Sequence, residues 1–160
     1  MGAKVQPAAG GPYLCRVLSR YLVVAASLLF ENIAGQVLAD PAGYLRLVWS
    51  GQPRQLADTQ LLLQAVAAQL AQRRWGRVLA DQTHMRPFTP DEQRWVSQQW
   101  LPHEARASGY RAGAILVASS VLSRLATAYI TSSSPENAFL RYRSFDDEQT
   151  ATEWLLRQPA

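Results

Sequence analysis

The sequence contains very few of the residues that build disulfides and metal sites. Its single cysteine, Cys15, excludes an internal disulfide and any zinc site made of several cysteines. Its two histidines, His84 and His103, fall in different predicted elements and lack the i, i+4 spacing that places two metal ligands on one helix face. We therefore expect a cytoplasmic protein that holds no metal and no cofactor.

The motifs of common enzymes are missing as well. There is no Gly-x-Ser-x-Gly turn to expose a nucleophilic serine, and neither of the glycine-rich loops that bind nucleotide phosphates occurs. The remaining route to catalysis is a pair formed by Asp81 and His84, whose mutual geometry a sequence does not supply. We expect the protein not to be an enzyme.

Lysine is nearly absent, so the positive charge is carried by arginine. Arginine accounts for 15 of the 16 basic residues, which face 12 acidic residues and give a formal net charge of +4. Nucleic-acid binders usually concentrate such charge in a stripe. The closest clusters here are Arg73, Arg74 and Arg77 at a predicted helix end, and Arg141 with Arg143 in a predicted strand. Cations are favourable at a helix C-terminus, so the first cluster has a local explanation, and we expect no nucleic-acid partner.

No apolar run is long enough to cross a membrane. The longest candidate, Tyr21 to Phe30, covers only about ten residues, against the roughly 20 that a spanning helix needs. Two arginines precede it, as in a secretory signal, but a glutamate and an asparagine follow it in place of a small-x-small cleavage site. We interpret residues 1–28 as an N-terminal extension, whose Gly, Ala and Pro-rich start is expected to be disordered. A packed helix or an overlong start is favoured, and a signal peptide stays open.

A chain of 160 residues can bury one sizeable core and is too short for two. We place a single domain at residues 29–158. It should open with a β-hairpin, because Asp40-Pro-Ala-Gly43 is a strong turn signal between the apolar stretches Ile33 to Leu38 and Tyr44 to Ser50.

Four later segments have the pattern of amphipathic helices. They are expected to begin, in chain order, at Leu56, at Thr89, at Ser119 or Ser120, and at Asp146. The second opens with the capping box Thr89-Pro-Asp-Glu92, and Pro102 should bend or restart it. The apolar residues of the third are Leu122, Leu125, Ala126 and Tyr129.

Short apolar runs between these helices predict strands. Val78 to Ala80 and Ala112 to Ala118 are continuous runs, typical of strands covered on both faces, whereas Phe139 to Phe145 alternates and suits a strand nearer the sheet edge. Strands separated by helices become parallel neighbours through right-handed crossovers. We therefore predict an α/β fold, with a mainly parallel sheet entered by an antiparallel β-hairpin and helices packed on the sheet.

These segments together resemble the SpoIIAA-like family, whose fold is related to STAS domains and to the CRAL-TRIO lipid-transfer fold. The matching stretches span roughly residues 30–157 and are Tyr44-Leu-Arg-Leu-Val-Trp-Ser-Gly51, Val78-Leu-Ala-Asp81, Trp95 with Trp100-Leu-Pro102, Gly109 with Ala114, and Phe145 with Ala151 and Trp154-Leu155. The resemblance implies a STAS-like domain that acts without chemistry of its own, by binding a partner protein or an apolar or anionic ligand.

One turn departs from the pattern of true anti-sigma-factor antagonists. Those proteins are similar in carrying a phosphorylatable Ser in an Asp-x-Ser-like turn after a central strand, whereas this chain reads Asp81-Gln82-Thr83. Thr83 could take the place of that serine. The resemblance therefore leaves open whether Thr83 is phosphorylated.

The loop from Asp81 to Thr89 is the candidate site. Open α/β sheets bind ligands beyond the carboxyl ends of their strands, near a topological switch point. This loop follows a predicted strand and combines the chemistry of Asp81, Thr83, His84 and Arg86. The competing interpretation is structural, with Asp81 bound to loop amides, Thr89 capping the helix and Arg86 solvated.

Trp95 and Trp100 are the other candidate binding residues. They either pack a helix onto the sheet or line an apolar pocket, which a bend at Pro102 could open. Our first hypothesis is a non-enzymatic STAS-like regulatory or protein-binding module with a protein partner. The alternative is a carrier or sensor of a lipid or other small apolar or anionic ligand. A homodimer is also left open.

Overall fold

The computed structural model describes residues 25–132 and 135–160. Within these residues, six strands form one mixed sheet in which the spatial order follows the chain order. The strands are β1 (Ser27–Asn32), β2 (Gly35–Asp40), β3 (Tyr44–Trp49), β4 (Arg77–Asp81), β5 (Ala112–Leu116) and β6 (Arg141–Phe145). The predicted α/β class, with an antiparallel entry and a parallel remainder, is confirmed.

Helices cover both faces of this sheet. They are α1 (Leu56–Arg73), α2 (Pro90–Trp95), a π-helix (Val96–Ala105) that continues α2, α3 (Val121–Ser132), a 3₁₀ turn (Pro135–Asn137) and α4 (Glu148–Leu156). The larger core lies between one face and the helices from α1 to α3, whereas the smaller core lies between the other face and α4. The described domain is therefore three layers thick, with unequal outer layers.

The predicted hairpin is formed by β2 and β3, which pair antiparallel. Its turn closes through a hydrogen bond from the Gly43 N–H to the Asp40 carbonyl at 3.0 Å. Gly43 has a φ of +91°, a conformation that favours glycine. Beyond the turn, Leu45, Leu47 and Trp49 are buried while the residues between them are half-exposed, as alternation requires.

One strand was not predicted. β1 pairs antiparallel with β2 and begins at Ser27, two residues before the expected start of the domain. Its residues include the end of the apolar run for which a packed helix was favoured. Residues 1–24, including the Gly, Ala and Pro-rich start and the rest of that run, lie outside the described residues. A short apolar run does not distinguish a strand from a helix by itself, which accounts for the difference.

The strands β3 to β6 are parallel neighbours, as predicted from the helices between them. The edge where these four strands begin is called the amino edge below, and the edge where they end is called the carboxyl edge. Because their order follows the chain, no reversal of strand order occurs among them in the described residues. The loop after β4 therefore lies at the carboxyl edge, as expected. The topological switch point, which was the other reason for choosing this loop as the candidate site, is absent from these four strands.

Pro102 does not interrupt its helix. The predicted capping box is present at Thr89, whose Oγ1 accepts the Glu92 N–H at 3.2 Å, and the helix then widens into a π-helix that contains Pro102. Widened turns of this kind relax the i to i−4 pattern that a proline disrupts. The expected restart is thus absent, and the helix changes its type over Val96–Ala105 instead.

Two other details differ from prediction. The α4 N-cap is Asp147 and not Asp146, because Asp147 Oδ1 accepts the Thr150 N–H at 2.9 Å. Ala151 and Leu155 of α4 are fully buried, while Trp154 is only half-buried against the Phe145 ring. The backbone hydrogen bonds of the last loop, and not the spacing of acids, decide which aspartate becomes the cap.

Candidate functional site

The candidate loop begins with a tight turn at Asp81. The Asp81 Oδ1 atom accepts hydrogen bonds from the Thr83 N–H at 2.9 Å and from the Thr83 hydroxyl at 2.6 Å. This arrangement is an Asx-turn, in which a carboxylate replaces a backbone acceptor. Thr83 and His84 are exposed just beyond it, and no hydrogen bond joins His84 to Asp81 in the described part of the chain.

Helix α3 holds the first half of the loop. The Ser123 hydroxyl donates to the Met85 carbonyl at 2.9 Å, and the Thr127 hydroxyl donates to Gln82 Oε1 at 2.9 Å. Ser119, just before the helix, donates its backbone N–H to the Thr83 carbonyl at 3.4 Å. Three hydrogen bonds from one side thus fix the position of the exposed residues in the loop.

The second half of the loop is fixed by the segment between β3 and α1. The Arg86 guanidinium donates through Nε to the Gly51 carbonyl at 2.9 Å. In return, both terminal nitrogens of Arg54 donate to the Arg86 carbonyl at 3.3 Å. Arg86 is therefore both exposed and a structural contact, a role that neither interpretation of this residue gave it.

A buried ion pair lies beneath this loop. Arg54 Nε donates to Glu92 Oε2 at 2.8 Å, and both side chains are almost fully buried. The Thr59 hydroxyl donates to the same carboxylate oxygen at 2.5 Å. The guanidinium carbon of Arg54 lies 5.2 Å from the Trp49 ring centroid and 5.6 Å from that of Phe88. The pair joins α1, α2 and the loop into one rigid unit.

The sequence interpretation missed this cluster. Glu92 was recognised only as the third residue of a capping box, a role it also has, because its Oε1 accepts the Thr89 N–H at 3.0 Å. A capping glutamate that also pairs with a distant arginine leaves no local signal. The Pro53-Arg54 dipeptide before the helix was the only available hint.

The outward face of α3 is unusual for a helix that packs on a core. Its buried residues are Ser123, Ala126, Thr127 and Ile130. Its exposed residues include Val121, Leu122, Leu125 and Tyr129, each between 59% and 69% exposed. The expected apolar residues of this helix therefore face away from the core, except for Ala126. We call these four exposed residues the α3 face.

A partly open cavity lies between the sheet and the helices. Its volume is about 60 Å³, and Trp100 of the π-helix lines it together with Trp49 and Tyr110. The Trp100 Nε1–H donates to the Leu63 carbonyl at 3.0 Å. Trp95 instead lies half-buried at the margin of the core. Of the two tryptophans that were predicted to bind a ligand, Trp100 lines the cavity, whereas Trp95 packs at the margin of the core.

Two tyrosines close the cavity at β5 and β6. The rings of Tyr110 and Tyr142 meet edge to face with their centroids 6.1 Å apart, and burial raises the pKa of both tyrosines. A Cβ atom on Gly113 would lie 2.6 Å from the Tyr110 hydroxyl and 2.5 Å from Cε1 of Tyr142. Glycine at position 113 therefore leaves the space in which these two rings pack.

The predicted site residues fall into two groups. Asp81, Thr83, His84 and Arg86 lie together on the surface of the loop, while Trp95 and Trp100 lie on the helix that follows. Within residues 25–132 and 135–160, no group of three His, Cys, Asp or Glu side chains is arranged to hold a metal ion. Nor does that part of the chain contain a helix with the length and apolarity to span a membrane.

Comparisons with known proteins leave the family open. No protein-family model, no curated protein and no solved structure matches this chain. The site must therefore be interpreted from its own geometry.

Proposed function

We propose that the protein is a non-enzymatic binding module that docks a partner protein on the α3 face, beside the loop at residues 81–89. The observation that carries this proposal is the inverted burial of α3, which exposes Leu122 and Leu125 while burying Ser123 and Thr127. Contiguous exposed apolar side chains on a domain of this size mark interaction surfaces. On the buried side, the hydroxyls of Ser123 and Thr127 anchor the helix to the loop.

The partner is expected to present an amphipathic helix with acidic flanks. Val121, Leu125 and Tyr129 follow one another at intervals of four residues, which forms a stripe that a second helix can pack against. The ionisable residues on α3 and in the adjoining loop are the basic or imidazole groups of Arg124, His84 and Arg86, together with one acid, Asp81, whose carboxylate is hydrogen-bonded to Thr83. A second copy of this chain would bring two Arg124 side chains together, which disfavours a symmetric dimer through this face.

The resemblance to the SpoIIAA-like family agrees with this proposal, since it implies a domain that acts by binding a partner protein or an apolar or anionic ligand. Thr83 is then the position at which modification would act. Its hydroxyl is exposed and already bonded to the Asp81 carboxylate. A phosphate on Thr83 would place negative charge next to that carboxylate, and the resulting repulsion would open the turn that borders the α3 face.

A site-specific photocrosslinker tests the docking surface. A photoreactive amino acid replaces Leu125 in one variant and Leu61 of α1, which is 54% exposed, in the control. Irradiation in the native host should yield one protein adduct from position 125 and none above background from position 61. The identified protein is then purified and titrated against wild type and a Thr83→Glu variant, and we expect the variant to bind it more weakly.

Three outcomes would contradict the proposal. Equal adduct yields at both positions would mean that the α3 face is not selective. An adduct to a second copy of the chain would indicate a homodimer. A crosslink within the chain to residues 1–24 would show that the protein covers its own α3 face.

The carrier remains the second candidate, supported by the cavity beneath the π-helix. Its volume of about 60 Å³ is well below the roughly 150 Å³ of an apolar cavity that binds benzene, so a lipid would require the π-helix to move outward. Native mass spectrometry tests this hypothesis. A co-purifying ligand mass that is lost in Trp100→Ala but kept in Trp95→Ala would support the carrier, whereas a ligand-free wild type would count against it.

A further inference from the structure

The amino edge of the sheet brings together arginines that are far apart in the sequence. Arg77 of β4 lies opposite Ala112 of β5, which lies opposite Arg141 of β6. With strands about 4.8 Å apart, the backbones of Arg77 and Arg141 are about 10 Å apart. Arg111 lies between them, since the Arg141 N–H donates to its carbonyl at 2.9 Å. The backbones of Arg77 and Arg141, from the two arginine clusters of the sequence, therefore lie at the same edge, where the Arg77 guanidinium donates to the Gln158 carbonyl.

Aromatic rings lie among these arginines. Arg74, Trp75 and Arg111 line a surface cleft of about 310 Å³. The guanidinium of Arg73 stacks over the half-buried Trp75 ring, with its carbon 5.1 Å from the ring centroid. Nearby, Arg106 lies over the Phe139 ring at 5.6 Å. The exposed guanidinium planes of Arg73 and Arg106, each held against a ring, are thus the stacking surfaces of this edge.

Arg74 has a backbone conformation that arginine rarely adopts. It caps the C-terminus of α1 in the left-handed region, with φ 56° and ψ 42°. Among the described residues, it is the only one other than glycine with a positive φ. Helices usually place glycine at such a position because a Cβ atom is strained there. Folding alone favours glycine at this position, so the exposed Arg74 side chain is a candidate for a role outside folding.

Helix ends do not account for all of this charge. Arg73 and Arg106 lie in the last turns of their helices, where the helix dipole favours a cation. Arg111 and Arg141 instead lie at strand starts, where no such effect operates. Among the ion pairs of the described residues, the one at this edge joins Arg157 to Glu153 at 4.0 Å, and it involves none of the arginines discussed above.

We propose that this amino-edge surface, formed by Arg74, Trp75, Arg106 and Arg111, binds single-stranded nucleic acid. Guanidinium groups pair with phosphates through two parallel hydrogen bonds, and both rings and guanidinium planes accept stacked bases. The absence of a nucleic-acid partner was expected because the charge was scattered along the sequence, and the fold removes that reason. An anionic membrane fits less well, because Trp75 is half-buried and Phe139 lies beneath Arg106 instead of protruding.

Binding of a labelled oligothymidylate to the full chain tests this surface. The probe is about 20 nucleotides long, and its fluorescence anisotropy is measured between about 50 and 200 mM salt. The double variant Arg74→Gly, Arg111→Gln should bind at least about tenfold more weakly, and its log–log salt slope should be shallower by about 1.4, because two phosphate contacts are lost. Arg94→Gln, which removes one positive charge from the exposed side of α2, should bind within about twofold of wild type.

Thermal unfolding separates binding from folding in the same experiment. Arg74→Gly should melt at the same temperature as wild type or higher, because glycine relieves the left-handed strain. The proposal is overturned if wild type does not bind the oligonucleotide, or if the double variant binds it as well as wild type does. It is also overturned if wild type binds only vesicles of phosphatidylserine, which would assign the surface to a membrane. The proposed docking on the α3 face is independent of each of these results.

Discussion

Helices α1 and α3 pack on the same face of the sheet, yet they bury opposite kinds of side chain. Helix α1 buries large residues such as Leu62 and Leu70, both fully inaccessible. Helix α3 buries mainly small and hydroxyl residues, while its Leu122 remains 67% exposed. The two helices have similar apolar content in sequence. Their difference shows that apolar content alone does not determine which face of a helix enters a core.

The contacts on the inner side of α3 explain the inversion. Its buried hydroxyls, on Ser123 and Thr127, satisfy the Met85 carbonyl and the Gln82 side chain of the candidate loop. Buried polar groups need partners, so a leucine in either place would leave those acceptors unsatisfied. Because the inner face holds the loop, the large apolar residues of α3 point outward.

The largest expected effect is at the ion pair that fastens α1 to α2. Arg54→Met leaves the buried Glu92 carboxylate without its cation, and we expect a loss of about 3–5 kcal/mol of unfolding free energy. Arg94→Met, which breaks an exposed pair on α2, should cost less than about 1 kcal/mol. Urea unfolding measures both, and a loss below about 2 kcal/mol for Arg54→Met would show that the pair is solvated.

A direct contrast between the two helices comes next. Leu62→Ala in α1 should destabilise by about 3 kcal/mol, because it creates a cavity in a fully buried position. Leu125→Ala in α3 should change stability by no more than about 0.5 kcal/mol, since Leu125 is 61% exposed. Urea unfolding measures the stability of both variants. Similar losses would mean that α3 buries Leu125 in solution, and the contrast between the two helices would then be wrong.

The polar inner side of α3 should give an intermediate effect. Thr127→Val removes the donor to buried Gln82, so we expect a loss of about 1–2 kcal/mol. The matched control is Thr131→Val, because that hydroxyl bonds only to carbonyls of its own helix. Its expected cost is within about 0.5 kcal/mol. If chemical denaturation shows that Thr127→Val is as stable as wild type, the anchoring role of the Thr127 hydroxyl is contradicted.

The smallest effect is a dependence on alkaline pH. Burial raises the pKa of Tyr110 and Tyr142, so the unfolded chain loses these protons first as pH rises through about 10. The contribution of these two tyrosines to the unfolding free energy is fully present below their pKa in the unfolded chain. It is lost as the pH rises toward their higher pKa in the folded chain. Between pH 8 and pH 10 the loss should be about 0.4 kcal/mol for each tyrosine. Tyr110→Phe should show a shallower decline in urea midpoint over this range, and an unchanged decline would indicate that Tyr110 ionises freely in the fold.

Local patterns predicted the elements whose causes are local. The hairpin turn at Asp40 to Gly43 and the capping box at Thr89 are determined by residues within four positions of each other, and both are present. The parallel order of β3 to β6 followed from helices of sufficient length between them.

Features that depend on distant partners were not predictable. Strand β1 exists because β2 offers it a pairing edge, and the π-helix exists because Pro102 must be accommodated without leaving the core. The burial of Arg54 depends on Glu92, 38 residues away. The candidate loop itself was found from its chemistry, but the α3 face beside it was not, because its residues were expected to be packed.

The affinity of the crosslinked partner for two matched variants tests the central claim most directly. Leu122→Ser combined with Leu125→Ser removes the centre of the α3 face, and Leu61→Ser removes an exposed leucine of α1. Isothermal titration should show at least about tenfold weaker binding by the α3 variant, because central apolar contacts dominate such interfaces, and less than about twofold weakening by the α1 variant. Equal affinities for wild type and the α3 variant, with unfolding free energies unchanged, would contradict the account.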